Sequence, residues 1–193
     1  MKKETKTHIL EMGAQIVHQK GFNATGIQEV LNAAAVPKGS FYFYFKSKEE
    51  FGLQLIDYFS DFLFSKMDEL LNADNVAPLE KLWNYFEWFL VYFEQNNFTG
   101  GCPIGNLAQE MGDLNDSFRE KLKPVFDKMK ANIAQCLEEA QQKGDLSPAL
   151  DIFNLSDFIV SSWQGALLQM KVMKNTAPVR NFERIVFNSL LKS

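Results

Sequence analysis

The 193-residue sequence contains only two cysteines and two histidines. Two cysteines cannot form the disulfide framework of a small secreted domain, which favours a reducing compartment such as the cytoplasm. Two histidines leave little room for a histidine-rich metal site, and we expect neither a metal nor a cofactor. No run of about 18 apolar residues is present, so we expect no membrane span. Residues 1–6 lead into no apolar segment of the kind that a signal peptide needs.

Acidic residues outnumber basic residues over the whole chain, but not in its first quarter. The net charge of −4 would, taken alone, disfavour binding to nucleic acid. Residues 1–50 hold seven lysines and five glutamates, a net charge of +2, so the remaining residues carry −6. This asymmetry is a hint of a nucleic-acid-binding head on an acidic body.

Helical hydrophobic spacing, interrupted by glycine and proline, predicts an all-α fold of about nine helices. Thr25 and Gln28 have the spacing of a capping box, in which the Thr25 hydroxyl binds the Gln28 amide and the Gln28 side chain reaches back. The predicted helices cover residues 5–20, 26–34, 48–72, 79–96, 103–112, 115–143, 149–174 and 179–191, and a further short helix starts near residue 38.

Residues 25–48 have the pattern of a helix-turn-helix, whose second helix enters the major groove of DNA. Gly39 removes a side chain where the backbone of that helix could approach DNA closely, whereas Phe41 and Phe45, four residues apart, should face the core. The alternative is an ordinary helical hairpin packed by aromatic residues. Hydrogen-bond donors suited to DNA are supplied by Lys38, Ser40, Tyr42, Tyr44 and Lys48.

Two segments, Gly21–Thr25 and Ala33–Phe51, resemble the N-terminal domain of TetR-family repressors. The resemblance implies a dimeric, all-α transcription factor that binds palindromic operator DNA and is released by a small-molecule effector. It implies a DNA-binding domain over residues 1–47 and an effector-binding and dimerisation domain over residues 48–193. Many members have histidine at the position of Tyr44. The DNA-facing positions implied are Thr25, Gln28, Lys38, Gly39, Ser40, Tyr42, Phe43, Tyr44 and Lys48, the last holding a phosphate.

A second resemblance concerns Gly101–Leu114 and Gly165–Lys171. Both segments are similar to a subgroup that includes the repressor of N-ethylmaleimide reductase, which senses reactive electrophiles through cysteine. Cys102 precedes Pro103, a residue that favours the first helical position, so unpaired amides and the helix dipole should lower the pKa of its thiol. The alternative is a small residue at a helix start. We expect Cys136 to be an inert core cysteine, and Lys171 to be either a pocket charge or solvated.

The effector pocket and the dimer interface are predicted from residue type and helical position. The helix of residues 79–96 is apolar on two faces, and its second, aromatic face of Tyr85, Trp88 and Tyr92 either lines a cavity or belongs to the core. Small residues near position 165 permit close helix packing, and two helix pairs would form a four-helix bundle across a two-fold axis. The effector candidates are Tyr85, Trp88, Tyr92, Cys102, Asn106, Trp163, Gln164 and Leu167. The interface candidates are Phe158, Ser162, Gly165, Ala166, Phe182 and Val186.

The sequence gives less support to two other functions, an enzyme and an adaptor. Enzyme motifs such as Gly-x-Ser-x-Gly, a P-loop, His-Glu-x-x-His and Gly-x-Gly-x-x-Gly are missing from the sequence, and we expect no catalytic residues. A Cys102 nucleophile paired with His8 or His18 is implausible because both histidines lie in the predicted DNA-binding head. The remaining alternative is a helical adaptor or small-molecule-binding protein that has lost DNA binding.

Overall fold

The computed structural model describes residues 2–192, and the side chains of residues 4–192. Over that part of the chain the backbone forms nine α-helices and no strand, which confirms the all-α prediction. A π-helical turn, Val186–Leu190, follows the last helix. The helices are α1 (Lys2–Lys20), α2 (Ile27–Ala33), α3 (Lys38–Tyr44), α4 (Lys48–Leu71), α5 (Pro78–Gln95), α6 (Pro103–Met111), α7 (Asp116–Lys143), α8 (Ile152–Met173) and α9 (Ala177–Ile185).

The helix ends lie at the residues that favour them. Gly21 and Gly144 follow α1 and α7 with φ of +92° and +82°, a conformation that glycine adopts without steric cost. Proline occupies the first position of α5, and the Asp151 side chain accepts the Asn154 amide hydrogen at 3.1 Å before α8. Local sequence therefore sets most of the helix boundaries.

The capping box predicted before α2 is wrong. The Thr25 hydroxyl donates instead to the Gly21 carbonyl at 2.7 Å, and the Gln28 side chain donates to that of Asn32 at 2.8 Å. The reason is a shift of one residue: Gly26 occupies the N-cap position, so Gln28 is the second helical residue and lies too early to reach back.

The chain forms two compact units that share α4 and α7. The first unit contains the chain up to Phe62 and returns for Pro103–Val125, so it includes α1 to α3 and α6. Its core is rich in phenylalanine, and the rings of Phe22 and Phe118 meet at 5.1 Å. The predicted functional division between residues 47 and 48 stays a prediction.

The second unit comprises Leu63–Cys102 and the chain from Phe126 onward. Its aromatic core joins α5, α8 and α9: the Phe86 ring lies 4.8 Å from the Trp163 ring and 5.0 Å from the Phe182 ring. Among the described residues, no helix is both long and apolar enough to cross a membrane.

Candidate DNA interface and thiol site

The inner face of α3 is fixed by two phenylalanines. Phe41 and Phe45 are buried, as their four-residue spacing predicts, with ring centroids 5.1 Å apart. Both rings also contact Phe51 at the start of α4, at 5.5 and 5.2 Å. Because this face is locked into the core, the opposite face of α3 must point outward.

The outward face of α3 carries the predicted DNA-contacting residues. Lys38 and Gly39 are exposed, and Tyr42 and Phe43 leave 59% and 64% of their surface exposed. The Phe43 ring packs edge-on against the Tyr44 ring, with centroids 4.9 Å apart. Large exposed aromatic side chains on a short helix are typical of an interaction surface. Ser40, another of the predicted DNA contacts in α3, is half-buried.

The two predicted contacts near α2 have different environments. Gln28 is exposed, whereas Thr25 has only 2% of its surface exposed. The Thr25 hydroxyl is occupied by the Gly21 carbonyl. The assignment of Thr25 as a DNA-facing residue is therefore corrected: its side chain supports the loop between α1 and α2.

Lys48, the predicted phosphate-binding residue, contacts that same loop. Its Nζ donates to the Asn23 carbonyl at 3.1 Å and lies 4.8 Å from the centre of the Phe22 ring. Burial lowers the pKa of Lys48, and the negative charge of Glu110 opposes that shift. Sequence reasoning missed Glu110, whose carboxylate accepts the amide hydrogens of Phe22 and Asn23 at 2.7 and 2.6 Å.

The second candidate site surrounds Cys102, a half-buried cysteine that immediately precedes α6 in the chain. Gly101 before it has φ of +68°, and a methyl group there would lie 2.9 Å from Cδ of Lys171. The Lys171 side chain therefore packs across Gly101. Lys171 is half-buried, and both alternatives for it, a pocket charge and a solvated side chain, stay predictions.

Electrostatic coupling identifies two neighbours of Cys102. Burial raises the pKa of the Tyr85 hydroxyl, and the charge of a Cys102 thiolate raises it further. Burial and the nearby Lys174 lower the pKa of Lys171, whereas Cys102 raises it. The C-terminal end of α8 is also tied to the loop between α5 and α6, because Lys174 Nζ donates to the Phe98 carbonyl at 3.1 Å. The thiol thus has a buried phenol and a lysine ammonium in its surroundings.

The other predicted effector residues are distributed between core and partly exposed positions. Trp88 and Tyr92 are half-buried and stack with ring planes 9° apart, and Lys66 Nζ lies 4.8 Å from the Trp88 ring centre. Trp163 and Leu167 are buried and Gln164 is half-buried. The remaining candidate, Asn106, is a half-buried residue of the first unit.

The predicted interface residues also fall into two groups. Phe158 is exposed, and Ser162 and Gly165 are half-buried on α8. The assignment of the other three is corrected, because they are core residues with little surface left for a second chain. Phe182 packs on Phe86 and Trp163, for example. These core residues are Ala166, Phe182 and Val186.

Cys136 lies beside a small polar cavity of about 160 Å³ in the second unit. Its thiol is buried and donates to the Pro78 carbonyl at 2.9 Å. Burial raises its pKa to about 11, so it stays protonated at neutral pH, which agrees with an inert core cysteine. The cavity is lined by Met67, Asp68, Leu71, Asn72, Asn132, Gln135, Cys136 and Glu139.

Comparison with known proteins gives concordant matches over nearly the whole chain. The family described as "Bacterial regulatory proteins, tetR family" matches residues 9–55, and "Tetracyclin repressor-like, C-terminal domain" matches residues 78–186. The repressor DhaR of Mycobacterium sp. is 36% identical, over 97% of this chain and 93% of its own. The repressor NemR of Escherichia coli is 30% identical over 92% of this chain and 89% of its own.

Solved structures agree with these matches. The crystal structure of regulatory protein TetR from Rhodobacter sphaeroides superimposes with a TM-score of 0.88 at 35% identity, over 92% of this chain and 94% of that one. Reduced E. coli NemR superimposes with a TM-score of 0.86 at 30% identity, over 96% and 97%. This chain therefore belongs to the TetR family of bacterial regulators and is a DNA-binding transcriptional repressor.

Proposed function

We propose that this repressor binds a palindromic operator as a homodimer in the cytoplasm and is released by a small apolar or electrophilic effector. The observation that carries the proposal is the outward face of α3, where Lys38, Tyr42 and Phe43 are exposed while Phe41 and Phe45 anchor the helix. Lysine suits phosphates, tyrosine can donate to phosphates or bases, and an apolar ring suits thymine methyl groups.

Dimerisation follows from the size of the DNA-reading element. A seven-residue helix reads few bases, so specificity requires two copies of α3 spaced by about 34 Å, one turn of DNA. An exposed apolar stripe on α8 supports a two-fold interface formed by α8 and α9 of both chains. This stripe includes Phe158 (47% exposed), Leu168 (45%) and Val172 (80%), with Gly165 between them.

The effector response is assigned to the surroundings of Cys102. The Lys171 ammonium favours the thiolate, which is the reactive form towards electrophiles and oxidants. The neighbouring Tyr85 ring suits an apolar effector, and the residues predicted from sequence remain the candidates for its contacts. Effector binding or thiol modification would shift α4 and change the separation of the two α3 helices, so the DNA-bound state would lose population.

Operator binding is tested first. DNase footprinting on the DNA flanking the gene, at several salt concentrations, should show a protected palindrome whose affinity falls steeply with salt. Exposed Lys38 and Tyr42 are replaced by alanine in the comparison protein. If the wild type protects no specific sequence, or if the substitutions leave affinity unchanged, an adaptor without DNA binding is the better description.

The thiol response is tested on the same operator. N-ethylmaleimide should release the wild-type protein, because the Cys102 thiolate adds to the reagent's double bond and the adjacent carbon takes a proton from water. Cys102→Ser should resist release, whereas the matched Cys136→Ala should behave as the wild type. Equal release of the wild type and Cys102→Ser would remove the sensor role and favour an effector that binds without covalent chemistry.

A further inference from the structure

Residues 21–23, at the start of the loop between α1 and α2, use every one of their backbone hydrogen-bonding groups. Residues 21–23 offer three amide hydrogens and three carbonyl oxygens. Three of these six groups are satisfied locally: the Gly21 amide by Val17 at 2.9 Å, the Gly21 carbonyl by the Thr25 hydroxyl at 2.7 Å, and the Phe22 carbonyl by the Thr25 amide at 3.2 Å. The other three depend on residues far away in the sequence.

Glu110 supplies both missing acceptors. Its two carboxylate oxygens accept the Phe22 and Asn23 amide hydrogens at 2.7 and 2.6 Å, and Lys48 donates to the Asn23 carbonyl. Charge-assisted bonds of this kind are stronger than bonds between neutral groups. Gly21 is adapted to the arrangement, because its φ is +92° and a methyl group there would lie 3.1 Å from a Glu110 oxygen. Without Glu110, two consecutive amides lose their acceptors.

This loop leads directly into the helix-turn-helix. Gly26 and the first turn of α2 follow it, and α3 follows α2 after four residues. The Phe22 ring anchors the loop on Phe118 of α7, and the Lys48 ammonium lies over the same ring. Glu110 therefore holds the segment from which α2 begins, and the position of α2 determines that of α3.

We propose that Glu110 is a positioning residue for operator binding. It keeps the helix-turn-helix in the orientation that DNA requires, without touching DNA itself. The inference rests on the operator binding proposed above and adds a residue of α6 to it. If loss of Glu110 leaves the head in the competent orientation for about a tenth of the time, operator affinity falls about tenfold.

The sign of the effect separates positioning from simple electrostatics. Removing a carboxylate from a DNA-binding protein normally strengthens binding, because one repulsion with the phosphates is lost. Positioning predicts weaker binding after the same change. The dependence of affinity on salt should stay as in the wild type, because Glu110 contributes no phosphate contact.

The test compares Glu110→Ala and Glu110→Gln with the full-length wild type. Alanine removes both acceptors, so we expect about tenfold weaker operator binding in an anisotropy titration. Glutamine keeps one carbonyl acceptor and should give an intermediate loss. Gln109→Ala, at the exposed neighbouring position of α6, serves as the matched control and should bind as the wild type. Hydrogen exchange is measured on the same proteins without DNA.

In the two Glu110 variants we expect faster exchange at residues 22–23 and through α2 and α3, with unchanged exchange in α8. Affinity equal to or above that of the wild type, or faster exchange confined to residues 22–23, overturns the proposal. If even the wild type binds no specific DNA, the operator proposal fails separately. The exchange data then decide whether Glu110 holds the head, and unaltered α2 and α3 refute that role as well.

Discussion

Replacing Gly39 by alanine tests whether the backbone of α3 approaches DNA closely. Gly39 is the second residue of this helix, and a methyl group there would meet no heavy atom within 4 Å in the free protein. Since alanine favours helix over glycine by about 0.5–1 kcal/mol, the variant should be at least as stable as the wild type. In a chain of this size the gain amounts to at most about 4 °C in Tm.

In the DNA complex, the same methyl group would lie between the backbone of α3 and the DNA and would prevent their close approach. Overfilling a tight contact costs about 1–3 kcal/mol, which corresponds to about 5- to 150-fold weaker operator binding. A substitution that preserves or raises stability while it weakens DNA binding cannot be explained by damage to the fold. The pair of measurements is therefore more informative than either one alone.

Lys38→Ala, at the preceding position, provides the electrostatic comparison. Loss of one lysine–phosphate contact should reduce the slope of log K against log salt concentration by about one. Gly39→Ala should leave that slope unchanged, because it alters no charge. The assays are anisotropy titration at several salt concentrations and thermal melting. If Gly39→Ala binds as tightly as the wild type at every salt concentration, the backbone of α3 does not approach DNA closely.

Three further predictions concern other parts of the chain. Gly52→Ala places a methyl group 2.4 Å from the Phe118 ring, so thermal melting should show a loss of about 1–3 kcal/mol, and an unchanged Tm would contradict this packing. A Cβ atom at Gly165 would meet no atom within 4 Å in its own chain, so Gly165→Leu should fold normally but sediment as a monomer; a dimer would exclude α8 from the interface. At pH 8, iodoacetamide should label Cys102 and spare Cys136, whose pKa of about 11 exceeds the ordinary 9.0. Labelling of both thiols would contradict this difference in pKa. The same raised pKa favours the protonated folded state, so the contribution of Cys136 to the free energy of unfolding is full below pH 9 and declines towards pH 11, which urea titrations can follow.

The sequence was most informative where structure depends on nearby residues. Glycine at positive φ and proline at first helical positions determine helix ends within a few residues, so the nine helices were predictable. The inward orientation of Phe41 and Phe45 followed from their spacing alone, and with it the outward orientation of Gly39 and Phe43 on the opposite side of the helix. A period of 3.6 residues is enough to assign such faces.

Prediction failed where the role of a residue depends on a one-residue shift in a helix start or on a contact with a distant part of the chain. A shift of one position moved Thr25 from a helix cap to a buried loop support. Phe182 has a residue type suited to an interface, yet its ring fills the core against Phe86. Glu110 gave no signal at all, because its partners lie 87 and 88 residues away and are backbone amides, which carry no side-chain signature.

The first unit is discontinuous in the chain, since it ends at Phe62 and resumes at Pro103. During synthesis the helix-turn-helix therefore leaves the ribosome well before Glu110, and its α1–α2 loop can be completed only after α6 has emerged. The same discontinuity restricts recombination between relatives. A chimera joined at residue 47 would take the α1–α2 loop from one parent and α6 from the other, so the Glu110 proposal predicts that exchanged heads bind DNA only when α6 is exchanged with them.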